Sequence, residues 1–248
     1  MSPIEQKDPI KDSQPEIKEE TDRSLSSKIG DWFRKKYLLV INLALAIYIF
    51  LPVVAPVLMK TGAIGVADKI YSMYRPLCHQ LAYRSFFLFG EQSVYPRQLA
   101  KIDGLKSFEE VTGLDSDDLR SAMAFRGDET LGYKIALCQR DLAIYGGLLL
   151  FGLLFGLTKR KIKPLPWLLW ILLALGPIGL DGFSQLLSQM DLSALTWLLP
   201  RESTPILRVL TGAMFGWFTA WFGFPSIEEM VNPPTKLTQM FHQGKNYD

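Results

Sequence analysis

Three long runs of this sequence contain no charged residue: Leu142–Thr158, Pro164–Leu180 and Val209–Ile227. A fourth, Leu38–Met59, is apolar apart from Asn42. An α-helix rises about 1.5 Å per residue, so roughly 20 such residues cross the hydrocarbon core of a bilayer. The runs therefore predict an all-α integral membrane protein and exclude an ordinary soluble enzyme. The mean hydropathy, +0.13, hides this because 12 of the first 30 residues are charged. Such a segment buries too little apolar surface to offset its ordering entropy. Residues 1–30 thus predict a disordered cytoplasmic tail, without the apolar run and cleavage site of a signal peptide. A net charge of +2 supplies no basic surface for nucleic acid, and the lipid bilayer is the partner that composition implies.

The spans expected are Leu38–Met59, Ile135–Thr158, Pro164–Ser188 and Pro205–Phe224, with Pro225 ending the last. Together they predict a four-helix transmembrane bundle within a membrane domain of residues 31–227. Asp68, Lys69, Arg75, His79 and Arg84 interrupt the apolar stretches of Gly62–Gly90. Each charge costs about 2.5–3.5 kcal/mol at a helix centre, so these residues predict interfacial helices and not a fifth span. Residues 91–134 are polar and read as a small extracytoplasmic helical insertion. Within it, Ser107 and Glu110 have capping-box spacing, and Asp115–Arg126 reads as a short helix. Residues 228–248 read as a cytoplasmic C-terminal tail. Four spans place the clusters Arg34-Lys35-Lys36 and Lys159-Arg160-Lys161 with Lys163 on one side. By the positive-inside rule that side is cytoplasmic, giving a multi-pass cell-membrane protein with both termini inside.

Helix rise also sets depth. Cys138, Asp181 and Arg208 each lie about 26–31 Å from the inner edge of their spans, near the outer rim. Cys78 and His79 follow the exit of the first span. Facing can be read too: Cys138, Asp141 and Tyr145, then Asp181 and Gln185, then Thr204, Arg208 and Thr211 each share a helical face. Charges near hydrocarbon are costly unless they meet an interior or one another. The stripes therefore predict one polar pocket containing Arg84, Arg140, Asp141, Asp181, Arg201, Glu202 and Arg208, with Cys78, His79 and Cys138 beside it. Gly152 and Gly156, and likewise Gly212 and Gly216, have the spacing that lets helices approach closely.

These positions form four ordered motifs: Cys78-His79-Gln80 with Arg84-Ser85-Phe86-Phe87 and Phe89-Gly90; Cys138-Gln139-Arg140 with Ile144-Tyr145-Gly146; Asp181-Gly182-Phe183-Ser184-Gln185; and Arg201-Glu202-Ser203-Thr204 with Arg208 and Thr211-Gly212. Over residues 37–227 the chain resembles domain-of-unknown-function family 2085, a family of membrane proteins. The resemblance implies a small polytopic membrane protein and no particular activity. Many members carry a further cysteine where this chain has Asp141, and a short connection where it has Glu91–Leu137.

Each candidate has more than one reading. Cys78 and Cys138 form a disulfide, or ligate a transition metal such as zinc with His79 and Asp141, or are buried free thiols. Asp181, Asp141 and Glu202 are candidate acid-base groups, or are paired with arginine as glue between helices. Arg84, Arg140, Gln185, Arg201 and Arg208 hold an anion such as a lipid head group, or balance the carboxylates. The functional readings are thus a metal or anionic-lipid site facing outward, or a non-catalytic membrane subunit or assembly factor with a membrane-protein partner.

Overall fold

The computed structural model describes residues 16–190 and 200–233. The chain divides into two units, Met1–Tyr37 and Leu38–Asp248. In the first, the described residues are helical and open helix α1, Glu16–Lys60. This corrects the expectation of disorder for residues 16–30. The segment after Pro15 holds no proline and is rich in Glu, Lys and Ser, so nothing in its backbone chemistry stops a helix. Residues 1–15 and 234–248 of the expected tails lie outside the described residues.

The second unit continues through α2 (Ile64–Tyr74), strand β1 (Ser85–Leu88), short helices α3 (Phe108–Thr112) and α4 (Leu119–Ala124), strands β2 (Gly127–Asp128) and β3 (Gly132–Cys138), and α5 (Gln139–Leu157). Then come α6 (Trp167–Gln189), with a π-helical turn at Ile171–Leu175, and α7 (Pro205–Val231). Among the described residues, three helices are long and apolar enough to cross a bilayer: α1 over Ser27–Lys60, α5 and α6. Little of their apolar stretches is buried in protein, and residues such as Leu43, Phe50, Leu150, Leu157, Leu172 and Leu180 are exposed. α7 is not among the three. Its tryptophans and threonines, with Gly212, Gly216 and Gly223, dilute its hydropathy.

α7 nevertheless runs parallel to α5 at very short range. A Cβ at Gly212 would lie 2.7 Å from the Arg140 carbonyl oxygen, and one at Gly147 would lie 2.7 Å from that of Ala213. A Cβ at Gly216 would collide with the backbone of Ile144. The seam continues through Phe151, whose ring meets Trp217 edge-on at 5.4 Å. Small residues let two backbones approach and gain dispersion contact where lipid offers no hydrophobic drive.

Pro52 and Pro56 in α1 and Pro225 in α7 sit inside helices without ending them. Proline leaves the carbonyl four residues earlier without its helical donor. Pro52 frees the Tyr48 carbonyl, which accepts the Tyr74 hydroxyl at 2.9 Å. Pro225 frees the Trp221 carbonyl, which accepts the Leu165 N–H at 3.4 Å. α7 thus passes the expected stop at Pro225 and reaches Val231.

The fold is not all-α. The three strands form an antiparallel sheet in the order β1-β3-β2. Ile135–Cys138, expected to open the second span, belongs to β3, and the helix starts at Gln139. Nor is 91–134 an independent appendage. Tyr95, Phe108, Ala122 and Leu131 share one apolar cluster with Leu81, Ala82, Tyr83 and Phe87. The capping box at Ser107 and Glu110 is present as expected. The residues read as interfacial helices are helical over α2 but turn into strand at Ser85.

Candidate functional site

The sheet brings the sequence motifs together. Ser85 of β1 pairs with Cys138 of β3, which sets Arg84 beside the start of α5. Gln139 reinforces the junction by donating to the Ser85 carbonyl at 3.0 Å. Upstream, the chain leaves α2 through Cys78, whose N–H donates to the Tyr74 carbonyl at 3.0 Å. It then reverses at Gln80, a non-glycine residue at φ 53°. Two bonds hold that strained backbone: the Gln80 side-chain amide donates to the Tyr71 carbonyl at 2.8 Å, and Lys134 Nζ donates to the Gln80 carbonyl at 2.7 Å. Lys134 is buried, and its ammonium also donates to the Met123 carbonyl at 2.8 Å. Burial, with Arg126 nearby, pushes its ammonium down to about 7.

Cys78 therefore meets Cys138. Both are free thiols, and their sulfurs and an Asp141 carboxylate oxygen all lie within 4.8 Å of one another. Cys138 is the N-cap of α5, its sulfur accepting the Asp141 N–H at 3.5 Å, so helix geometry fixes the Cys138–Asp141 pair. Cys78 Sγ accepts the Gln80 N–H at 3.5 Å. The hydrogen bond from the Cys138 thiol holds the Cys78 thiol below its ordinary range, against burial; as donor, Cys138 is pushed up. The cluster lines an open pocket of about 270 Å³ with His79, Leu81 and Arg84. His79 is exposed and stands outside the three-residue cluster, a departure from the expected ligand set.

Beside it lies a second polar assembly, built on two buried carboxylates. Asp181, with its side chain 2% exposed, takes ion pairs from Arg140 and from Arg201 at 2.8 Å, and accepts the Ser203 hydroxyl at 2.7 Å. Glu202, with its side chain 1% exposed, takes Arg84 through two bonds at 2.8 and 3.0 Å, pairs with Arg208, and has Arg97 at 3.6 Å. Gln185 and Gln189 donate to Glu202 at 3.0 and 3.1 Å. Arg208 is buried and also reaches the Tyr83 carbonyl at 3.4 Å and Gln139 at 3.5 Å.

The expected pocket thus separates into two parts. Arg84, Arg140, Asp181, Gln185, Arg201, Glu202 and Arg208 come together as one network. Cys78, Cys138 and Asp141 form the other. Arg84 borders both, and His79 borders only the thiol pocket. Sequence reasoning missed Arg97, because its segment read as an appendage, and Gln139, Gln189 and Ser203, which are uncharged. Ser203 and Gln139 lie inside the four motifs; no signal marks Arg97 or Gln189. Tyr145 of the expected α5 face packs against Tyr48 of α1, with ring centroids 4.4 Å apart and the rings tilted at 56°.

Comparison with known proteins agrees with the family resemblance. The chain is 24% identical over 206 residues to an uncharacterized protein of the archaeon Methanocaldococcus jannaschii, covering 79% of this chain and 96% of that protein. No solved structure matches significantly. The matched archaeal protein carries no stated activity, so the comparison bears on kinship and not on chemistry. The family model described as "Predicted membrane protein (DUF2085)" matches residues 126–222, the stretch from β2 through most of α7, and over that stretch the chain is similar to that family of membrane proteins.

Proposed function

We propose that this membrane protein crosses the bilayer four times and holds a transition metal of the zinc class at Cys78, Cys138 and Asp141, on its outer side. The carrying observation is the convergence of two free thiols and a carboxylate within 4.8 Å in an open pocket. Thiolate and carboxylate oxygen are ordinary zinc donors, and a site with three protein ligands leaves a fourth position for water or substrate. His79, lining the same pocket, is the alternative fourth donor. Such a site polarises or deprotonates what binds the open position, giving a route to metal-assisted chemistry.

The fourth span is supported by α7 lying along α5 in parallel, with Gly212 and Gly216 against that helix. Parallel α5 and α7 suit an arrangement in which both enter from outside. The two basic clusters then share the cytoplasmic side with both termini.

The arginine–carboxylate network supports a structural role. Asp181 and Glu202 are buried and surrounded by donors, so neither is poised as a free acid or base. This favours a second reading, that the protein is a membrane subunit or assembly factor whose network fixes helix positions. The two readings coexist, since they concern different residues.

Cobalt(II) titration of the purified full chain tests the metal site. Thiolate-to-cobalt charge-transfer absorption is expected in the wild type, weakened in Cys78→Ser or Cys138→Ser and absent in the double variant. A wild type without that absorption, or a double variant with the wild-type spectrum, overturns the proposal.

A further inference from the structure

A large apolar cavity shares no lining residue with the thiol pocket. It measures about 730 Å³, within the ordinary range of ligand pockets, and lies between two different parts of the fold. One wall is Phe86, Ile102 and Leu105 of the β1–α3 region; the other is Ile206, Val209 and Leu210 at the start of α7. We infer that this groove takes one acyl chain of an anionic phospholipid, whose head group meets the arginine network beside it. The inference rests on the reading of α7 as a membrane span.

Three observations carry it. First, the groove wall is continuous with the outer face of α7: Ile206 and Leu210 line it and are 81% and 54% exposed. A surface of that kind on a membrane helix is covered by lipid chains, so a chain already on α7 has only to bend into the groove. Second, the opposite wall belongs to the segment outside the spans, so the groove reaches the end of the helix, where head groups begin. Third, charge is complementary. Phe86, Val94 and Thr204 of the lining lie within three residues of Arg84, Arg97 and Arg201 in sequence. The network contains five arginines, counting Arg140 and Arg208, against Asp181, Glu202 and Asp117. Arg84 and Arg201 keep about a third of their side chains exposed, so their guanidinium groups retain donors for a phosphate.

The test uses the full chain in liposomes containing either phosphatidylglycerol or phosphatidylcholine with a photoactivatable group near the end of one acyl chain. Cross-linked peptides are mapped by mass spectrometry. Cross-links are expected on the peptide carrying Ile102 and Leu105, which lipid merely surrounding the spans does not reach. Their yield should be higher with phosphatidylglycerol and fall roughly tenfold in Leu210→Trp, an exposed position where bulk fills the groove without disturbing the interior. Ile102→Trp fills it from the other wall and should act alike. Cross-links on α7 beyond residue 213 but none on Ile102 or Leu105 would overturn the groove while sparing the span. Cross-links on neither would overturn the span as well. Equal yields from the two lipids would overturn the head-group assignment, and wild-type yields in both variants would overturn the groove.

Discussion

The thiol pocket and the arginine–carboxylate network share Arg84 and yet are built on opposite terms. In the network, the protein supplies the partners of each acid: Asp181 has two arginines and a serine, and Glu202 has three arginines and two glutamines. In the pocket, two thiols and a carboxylate face one another with no cation of the protein among the three. Buried charges cost several kcal/mol each unless paired, so the network is a place where removal is punished. The pocket is a place where something can be added. Residues of the same chemical types, at one level of the chain, can thus serve helix placement or ligand binding, and pairing distinguishes them.

The comparison breaks first if the network is dispensable. Glu202→Ala leaves Arg84 and Arg208 without their acid, and loss of one partner from a buried pair costs about 3–5 kcal/mol. Thermal unfolding in detergent should show a larger drop than any single substitution in the helix seam or the Gln80 turn produces. A variant as stable as wild type would remove the structural reading of the network.

A smaller effect is expected where α5 meets α7, the contact that holds Arg140 beside Arg208. Gly216→Leu forces a side chain into the Ile144 backbone, and overpacking of this kind costs about 1–3 kcal/mol. Gly223→Leu is the matched control, since nothing lies within 4 Å of a Cβ there. Equal melting temperatures for the two variants would contradict the close helix approach.

The smallest effect concerns Lys134, which props up the turn carrying Cys78. Its folded pKa, about 7, lies below the ordinary lysine value, so the unfolded chain binds more protons between these values. Stability should therefore rise as pH increases from about 7 towards 10, and the burial penalty should stand in full below 7. Deprotonation leaves an amine with two N–H groups, enough for the bonds to the Gln80 and Met123 carbonyls. In Lys134→Met the pH-dependent part of the melting curve should flatten. Identical slopes in the two proteins would show that Lys134 does not titrate in this range.

Three of the four expected spans, those in α1, α5 and α6, were legible because long uncharged runs have few alternatives, and the convergence of Asp181 and Arg208 followed from helix rise and facing. The sheet was not legible. Ile135-Ala136-Leu137-Cys138 is apolar and runs directly into an apolar helix, and short apolar runs of strand and helix look alike. Yet that strand is what brings Cys138 to Cys78. Pro225 misled for a different reason: its cost is met by the Leu165 N–H, a partner distant in sequence. His79 adjoins Cys78 in sequence and lines the same pocket, but it is exposed and stands outside the cluster of three that the buried Cys78 joins. Arg97 was hidden because its pairing with Glu202 depends on the segment 91–134 folding back onto Tyr83 and Phe87.

Elemental analysis of the full chain, purified from cells supplied with zinc, tests the difference between pocket and network most directly. The wild type should carry about one ion of the zinc class per chain, as three protein ligands and one open position require. Asp181→Asn should keep that ion even where it lowers stability. The double variant Cys78→Ser with Cys138→Ser should lose it while remaining helical and monodisperse. A wild type without metal, or a double variant with as much metal as the wild type, would contradict the account.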